Sequence, residues 1–299
     1  MRTTILIILL IVAPLRANAD LKLFACEPEW AALAHEIGGK KIKSNSATNA
    51  LQDPHYIQAR PSLIAKIRSA DLIVCSGGQL EVGWLPMLLR KGNNPDVMPG
   101  TPGFLEASMF VNRLDVSTDT DRSQGDVHPQ GNPHIQTNPY NIQLVAEAIT
   151  ERMALLDNSN ASFYRQGLAD FKLRWSESII GWEKSGAELR GKKVITHHKS
   201  WVYLEDWLGL EEVANLEAVS GVPPTASHLA DLLERFGDDN SVDFIIRAPF
   251  QSEKPSKWLS ERTGIPAVML PLSVGGSDDS NDLFAMFDDI LDRLLSAQR

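Results

Sequence analysis

Three of the seven histidines stand where a turn or a strand end would aim an imidazole outward: Asp53-Pro54-His55, Gly131-Asn132-Pro133-His134 and Thr196-His197-His198. Two follow a proline, which restricts the backbone in a turn, and the third closes an apolar run. Neutral imidazole is a nitrogen ligand for zinc, copper, nickel and iron, so three rings placed alike point to a divalent-cation site. His197 and His198 are neighbours at a strand end, where successive side chains face opposite sides, so one of them is expected to face that site. His35, in mid-helix, and His228, in a helical first turn, read as structural or solvent-facing. The chain has two cysteines, Cys26 and Cys75, too few for a thiolate cage. Ligands other than imidazole therefore have to be carboxylates.

These positions need a scaffold. LKLFAC from Leu21 reads as a strand, and Glu29 to Ile37 spaces Trp30, Leu33, Ala34 and Ile37 at helical intervals before Gly38-Gly39 stops it. Ser62 to Ser69 reads as a helix behind Pro61, leading into the strand ADLIVCSG. Strand, helix, strand implies a parallel α/β lobe. The stretch from Arg90 to Gly131, rich in Pro, Gly, Asn and Asp, is predicted to be mostly loop, and it runs directly into the second histidine motif.

A helix follows over Asn141 to Leu156. One long helical pattern then runs from Ala161 to about Leu189, with Tyr164, Leu168, Phe171, Trp175, Ile179 and Trp182 at intervals of three and four, or roughly 43 Å at 1.5 Å per residue. After Gly191 a second series begins: strand Lys193 to Thr196, helices Trp201 to Leu208 and Ala226 to Phe236, strand Val242 to Arg247, helix Lys254 to Thr263, strand Ala267 to Leu272, and a helix from about Asp282. The predicted fold is α/β, with two parallel-sheet lobes (20–157 and 191–299) joined by one long backbone helix (158–190). In parallel α/β sheets ligands gather at the carboxyl ends of the strands, which places the expected metal site in the cleft between the lobes.

Composition agrees with a folded, two-lobed protein: of 299 residues, 43% are hydrophobic and 22% charged. With 29 Lys and Arg against 38 Asp and Glu, and no dense basic stripe, nucleic acid is not an expected partner. Residues 1–19 read as a cleaved signal peptide: Arg2, an apolar run from Ile5 to Leu15, then Ala17-Asn18-Ala19 in small-x-small form. That run is about half the roughly 20 residues a membrane span needs, and no cysteine follows directly to carry a lipid. Removing Arg2 and Arg16 leaves 27 cations against 38 anions, a net of −11 against −9 for the whole chain. A periplasmic location follows. An oxidising compartment permits a disulfide between Cys26 and Cys75, because each ends an apolar strand and adjacent parallel strands would bring both thiols to one edge. Two reduced, buried cysteines are the other reading.

Asp53-Pro54-His55, the run SADLIVCSGGQLEVGWLP at 69–86, Gly-Asn-Pro-His at 131–134 with Pro139 five residues on, and VITHHKSWVYL at 194–204 together resemble the periplasmic zinc- or manganese-binding proteins of ABC importers, the metal-specific cluster of solute-binding proteins. The resemblance spans essentially the whole chain after residue 19. It implies two lobes on a backbone helix that allows little closure, with His55, His134 and His198 as ligands; Tyr203, five residues on, selects His198 over His197. It implies Zn²⁺ as the transported cargo, since manganese binders usually carry a carboxylate at the third position, and imidazole suits zinc while carboxylates suit manganese.

A carboxylate after the last strand is implied as the fourth ligand. Asp282 is the expected one, although its place before Leu283 also suits a helix cap; Asp278 is the alternative, with Asp279 beside them. The acidic run from Ser117 to Asp126 reads as an auxiliary metal loop, with Asp119, Asp121, Asp126 and His128 as weak ligands, or as a plain solvated loop. Glu81 reads as structural. The implied partner is the membrane permease of an ABC transporter, with a periplasmic metallochaperone as an optional second, and the chain is expected to be a monomer without catalytic activity. Two other functions stand beside this one: a manganese or iron carrier on the same scaffold, and a secreted zinc hydrolase, which would lack the usual H-E-x-x-H helix.

Overall fold

The computed structural model describes residues 20–117, 125–237 and 241–298. The expected signal peptide, with Asp119 and Asp121 of the acidic loop, lies outside them. The first lobe begins with β1 (Leu21–Ala25), α1 (Pro28–Gly38), β2 (Ile42–Ser46), α2 (Pro61–Arg68), β3 (Leu72–Cys75), α3 (Leu85–Gly92) and β4 (Phe104–Glu106). Its sheet is parallel throughout, in the order β2-β1-β3-β4. Next come α4 (Pro139–Leu156) and the 26-residue α5 (Ala161–Gly186). The second lobe holds β5 (Lys193–Thr196), α6 (Val202–Leu208), β6 (Glu211–Asn215), α7 (Ala226–Phe236), β7 (Phe244–Arg247), α8 (Glu253–Thr263), β8 (Ala267–Met269) and α9 (Leu283–Ser296). Its parallel sheet runs β6-β5-β7-β8, the same winding as the first, without a shared sequence repeat.

The predicted architecture, two parallel α/β lobes with one long helix between them, is therefore the observed one, and the differences are local. The stretch predicted as loop from Arg90 holds the end of α3 and the short strand β4. Strands β2 and β6 were not expected; both are sheet edges whose sequences, IKSNS and EEVAN, are largely polar. The helix predicted to about Leu189 ends at Gly186 and tightens into a 3₁₀ turn over Ala187–Leu189.

Helix α5 spans about 39 Å and buries Tyr164, Phe171, Trp175, Ile179 and Trp182 along one stripe. Its aromatic residues interlock with those of α9: Trp175 meets Phe284 and Phe287 edge-on at 4.8 and 5.5 Å between centroids, and Trp182 stacks on Phe287 at 5.0 Å. Trp175 Nε1 donates to the Pro139 carbonyl and Trp182 Nε1 to Asp288, so the indoles are satisfied as well as packed. Among the described residues, no helix is long and apolar enough to cross a membrane.

Cys26 and Cys75 are disulfide bonded. They sit fully buried at the carboxyl ends of the paired strands β1 and β3, which is the point where the winding of the first sheet reverses direction.

Candidate metal centre

Every histidine of the three motifs emerges from a loop at the carboxyl end of a strand. His55 lies in the connection after β2, His134 at the end of the long segment after β4, and His198 two residues past β5. The two lobes face each other there, and the three rings meet: their ligand nitrogens all lie within 4.8 Å of one another, and all three residues are buried. The ring centroids are 5.5 Å apart for His55–His134 and His55–His198, and 6.0 Å for His134–His198.

The outer nitrogens are fixed. His55 Nδ1 is 2.8 Å from Asp53 Oδ1, and His198 Nδ1 is 2.7 Å from Glu217 Oε2. Both partners are acceptors, so each Nδ1 carries the proton and each Nε2 presents a lone pair. His134 is 1% exposed, and neither of its nitrogens has a hydrogen-bond partner. Buried polar groups are normally paired, so an imidazole with both nitrogens unmet, facing two others, is a ring arranged for something other than protein.

A further imidazole stands beside His55, outside the three-histidine group. His128 Nδ1 lies 3.0 Å from the Gly78 carbonyl oxygen, and its Nε2 lies 3.4 Å from Nε2 of His55. With both Nδ1 protons engaged by oxygens, two lone pairs point at each other, a repulsive arrangement that a cation between them would relieve. In a tetrahedral zinc shell with Zn–N of about 2.0–2.1 Å, neighbouring nitrogens stand about 3.4 Å apart.

Burial, reinforced by the neighbouring imidazoles, holds His134 well below the ordinary histidine range. Burial and repulsion from His55 push His128 down to about 4. Both rings are therefore neutral near pH 7, the state that binds metal. Burial raises Asp53, but its hydrogen bonds from the His55 ring and backbone amide outweigh it and leave the carboxyl below its usual value.

The structure does not bring Asp282 into this group. Its backbone is extended, and its Oδ1 accepts the Ala285 amide at 2.9 Å as the N-cap of α9, a helix-end role that aspartate favours. Asp278 is exposed on the preceding turn and also lies outside the group. Asp126 accepts the Tyr56 hydroxyl at 3.0 Å and lines the cleft beside His55 and His198 without belonging to the group. His197 lies outside the group, with its Nε2 3.7 Å from Oε1 of the same Glu217 that holds His198. Tyr203 ties the lobes: its hydroxyl donates to the Asn132 carbonyl at 2.9 Å and accepts the Leu114 amide at 3.1 Å.

Sequence reasoning missed Glu217, which stands 19 residues past His198 on the far side of an edge strand and carries no motif. It also missed Glu27 and Glu29, and it left Glu81 as structural. These three buried carboxyls surround the disulfide. Glu27 accepts the Ser76 amide and hydroxyl, Glu81 accepts the Gly77 amide, and Glu29 pairs with Ser273 of the other lobe. Burial pushes Glu27 well up, and Glu29 and Glu81 to about 7. The sulfurs beside them are bonded to each other and offer no thiolate.

A cleft of about 240 Å³, lined by Asp53, His55, Asp126, His198 and Glu217 among others, opens onto the imidazoles. A larger one, of about 640 Å³, lies at the amino ends of the first sheet around Asp20, Asp71 and Asp96, remote from them.

Residues 24–297 match the family described as ZnuA, the periplasmic component A of the zinc-uptake complex. The manganese ABC transporter substrate-binding lipoprotein PsaA of Streptococcus anginosus is 24% identical over 262 residues, covering 84% of this chain and 79% of that protein. The iron-binding protein YfeA of Yersinia pestis is 23% identical over 238 residues, 78% of this chain and 70% of that one. Among solved structures, a crystal structure of ZnuA superposes with a TM-score of 0.78 at 20% identity, covering 94% of this chain and all of that one. A manganese-bound periplasmic metal-binding protein from candidatus liberibacter asiaticus gives 0.74 at 18%, over 93% and 100%.

Proposed function

This chain belongs to the ZnuA family, and we propose that it captures one Zn²⁺ between its lobes and surrenders it to the membrane permease of an ABC importer. Membership makes it a metal-binding, substrate-binding component of such an importer, and none of the relatives named above is an enzyme. Zinc and the ligand set are the further steps of the proposal. His55, His134 and His198 supply three nitrogens, and His128 the fourth, in place of the carboxylate expected after β8. The observation that carries this reading is His134: a buried ring with two unmet nitrogens, facing imidazoles whose free lone pairs converge on it.

No catalytic step is needed. A closed shell of four protein ligands is the pattern of zinc held as such, whereas hydrolysis needs an open position for water. The proposal includes export by cleavage after Ala19, action in the periplasm as a monomer, and receipt of the ion either from solution or from a metallochaperone. Manganese or iron is the second reading, favoured by the names of PsaA and YfeA. Against it stands the donor set, because carboxylates, carbonyls and water suit manganese while imidazoles suit zinc. Isothermal titration of the chain with Zn²⁺ should give one tight site, lost for the most part in His134→Ala; equal binding by that variant would remove the assignment.

A further inference from the structure

Glu217 does more than hold one ligand. Its Oε2 accepts from His198 Nδ1 at 2.7 Å and from the Gly221 amide at 2.7 Å, which folds residues 217–222 into a tight strap beside the ligand. Ser220, inside that strap, places its hydroxyl 3.2 Å from the same His198 nitrogen. The strap then crosses to the first lobe, where the Ser220 carbonyl accepts the Asp126 amide at 2.9 Å. Asp126 stands two residues before His128.

Two glycines allow this crossing. A Cβ on Gly125, whose φ is +96°, would meet the Ser220 carbonyl oxygen at 2.1 Å, and one on Gly221, whose φ is +78°, would meet the Asp126 carboxylate at 2.2 Å. The Asp126 carboxylate is in turn held by the Tyr56 hydroxyl. One carboxylate thus lies at the junction of two ligands that belong to different lobes.

We propose that Glu217 is the positioning residue that couples His198 to His128: by fixing the His198 ring and folding the 217–222 strap onto the Asp126 segment, it holds the fourth imidazole on the cation and sets how fast the cation leaves. This rests on the four-histidine reading above. Release then starts when the strap lifts and His128 withdraws, and a three-nitrogen shell open to an exchanging ligand is left behind. The lobes themselves need not separate, which agrees with the hydrogen bonds that clamp them at Tyr203–Asn132, Asn132–Lys199 and Gln136–Leu272.

The test is release of Co²⁺ from the full chain into excess chelator, followed by stopped flow, with the visible absorption of Co²⁺ reporting its ligand shell. Losing a partner that orients a ligand costs about 10- to 100-fold. Glu217→Gln, which keeps an acceptor for Gly221 but loses the charge, is expected at the lower end in release rate. Glu217→Ala is expected at the upper end, with a spectrum that reports one nitrogen fewer. Gly125→Ala, which touches neither His198 nor Glu217, is expected to give the same spectral change by forcing the strap off. Native release rates and native spectra in both Glu217→Ala and Gly125→Ala would overturn the proposal; if Glu217→Ala does not fold, Glu217→Gln takes its place in that comparison. Failure of the underlying site reading has a different signature, because His134→Ala would then bind Co²⁺ as tightly as the native chain does.

Discussion

The Nε2 atoms of His55 and His128 face each other at 3.4 Å, while the Nδ1 of each ring is held by an oxygen, one from Asp53 and one from Gly78. Two acceptors at that separation make no hydrogen bond with each other, and a shared cation resolves the conflict. His128→Ala should therefore weaken Zn²⁺ binding by at least the roughly 10- to 100-fold of a lost orienting partner. X-ray absorption should count four nitrogen neighbours in the native chain and three in the variant. Four in both would place the fourth ligand elsewhere.

Asp282 gives the opposite expectation. As the cap of α9 it accepts the Ala285 amide, so Asp282→Ala should cost about 1 kcal/mol of stability and leave Zn²⁺ affinity unchanged. Thermal melting and titration on the same preparation separate the two effects. A loss of affinity without a loss of stability would restore Asp282 as a ligand.

The donor set predicts selectivity. In a competition titration Zn²⁺ should displace Mn²⁺ at equal concentrations, because four imidazoles offer no hard oxygen. Acid should weaken binding less than a free imidazole would suggest. Burial keeps His134 and His128 unprotonated through the range near 6.5 where an ordinary histidine titrates, so their share of the affinity persists below it. A midpoint for Zn²⁺ release at or above about pH 6.5 would contradict this.

The buried carboxyls around the disulfide predict a slope of stability with pH. Glu29 and Glu81 hold their protons up to about 7 in the folded chain against 4.5 ordinarily. Between those values the folded state binds more protons than the unfolded one, so the stability they contribute is complete below about 4.5 and is lost as pH rises through about 7. The melting temperature of the metal-free chain should fall between about pH 4.5 and 7 and level off above, and fall less in Glu29→Gln. An identical slope in the variant would assign the effect to other groups.

Cys26 and Cys75 close a loop of sequence separation 49. In the chain-entropy account such a cross-link contributes about 4 kcal/mol. Cys26→Ala/Cys75→Ala should lower the denaturation midpoint accordingly and leave Zn²⁺ binding in place, since neither sulfur belongs to the histidine group. A melting curve unchanged by the double substitution would contradict it.

Much of this was legible in the sequence, and what was not has physical causes. The long helix announced itself through Tyr164, Phe171, Trp175 and Trp182, whose spacing only a helix explains. His55, His134 and His198 were legible because Pro54, Pro133 and the strand that ends at Thr196 give each a defined backbone setting. Edge strands β2 and β6 were hidden because a strand with one neighbour keeps polar residues such as Lys43, Asn45 and Glu211, and so loses the apolar run that marks a buried strand. His128 looked weak because the segment around it has no period; long-range contacts with Gly78, Tyr56 and Ser220 give that segment its place. Asp282 reads as ligand or cap alike in the sequence, because both roles ask for the same residue type, and its contact with the Ala285 amide exists only once α9 has folded.

Helix α5 and its aromatic footing on α9 behave like the beam of a caliper. Trp175 and Trp182, locked against Phe284 and Phe287, set the gap between the jaws when the chain folds, before any ion arrives. Trimming an indole in that beam should accordingly loosen the spacing of the jaws with every histidine left in the sequence.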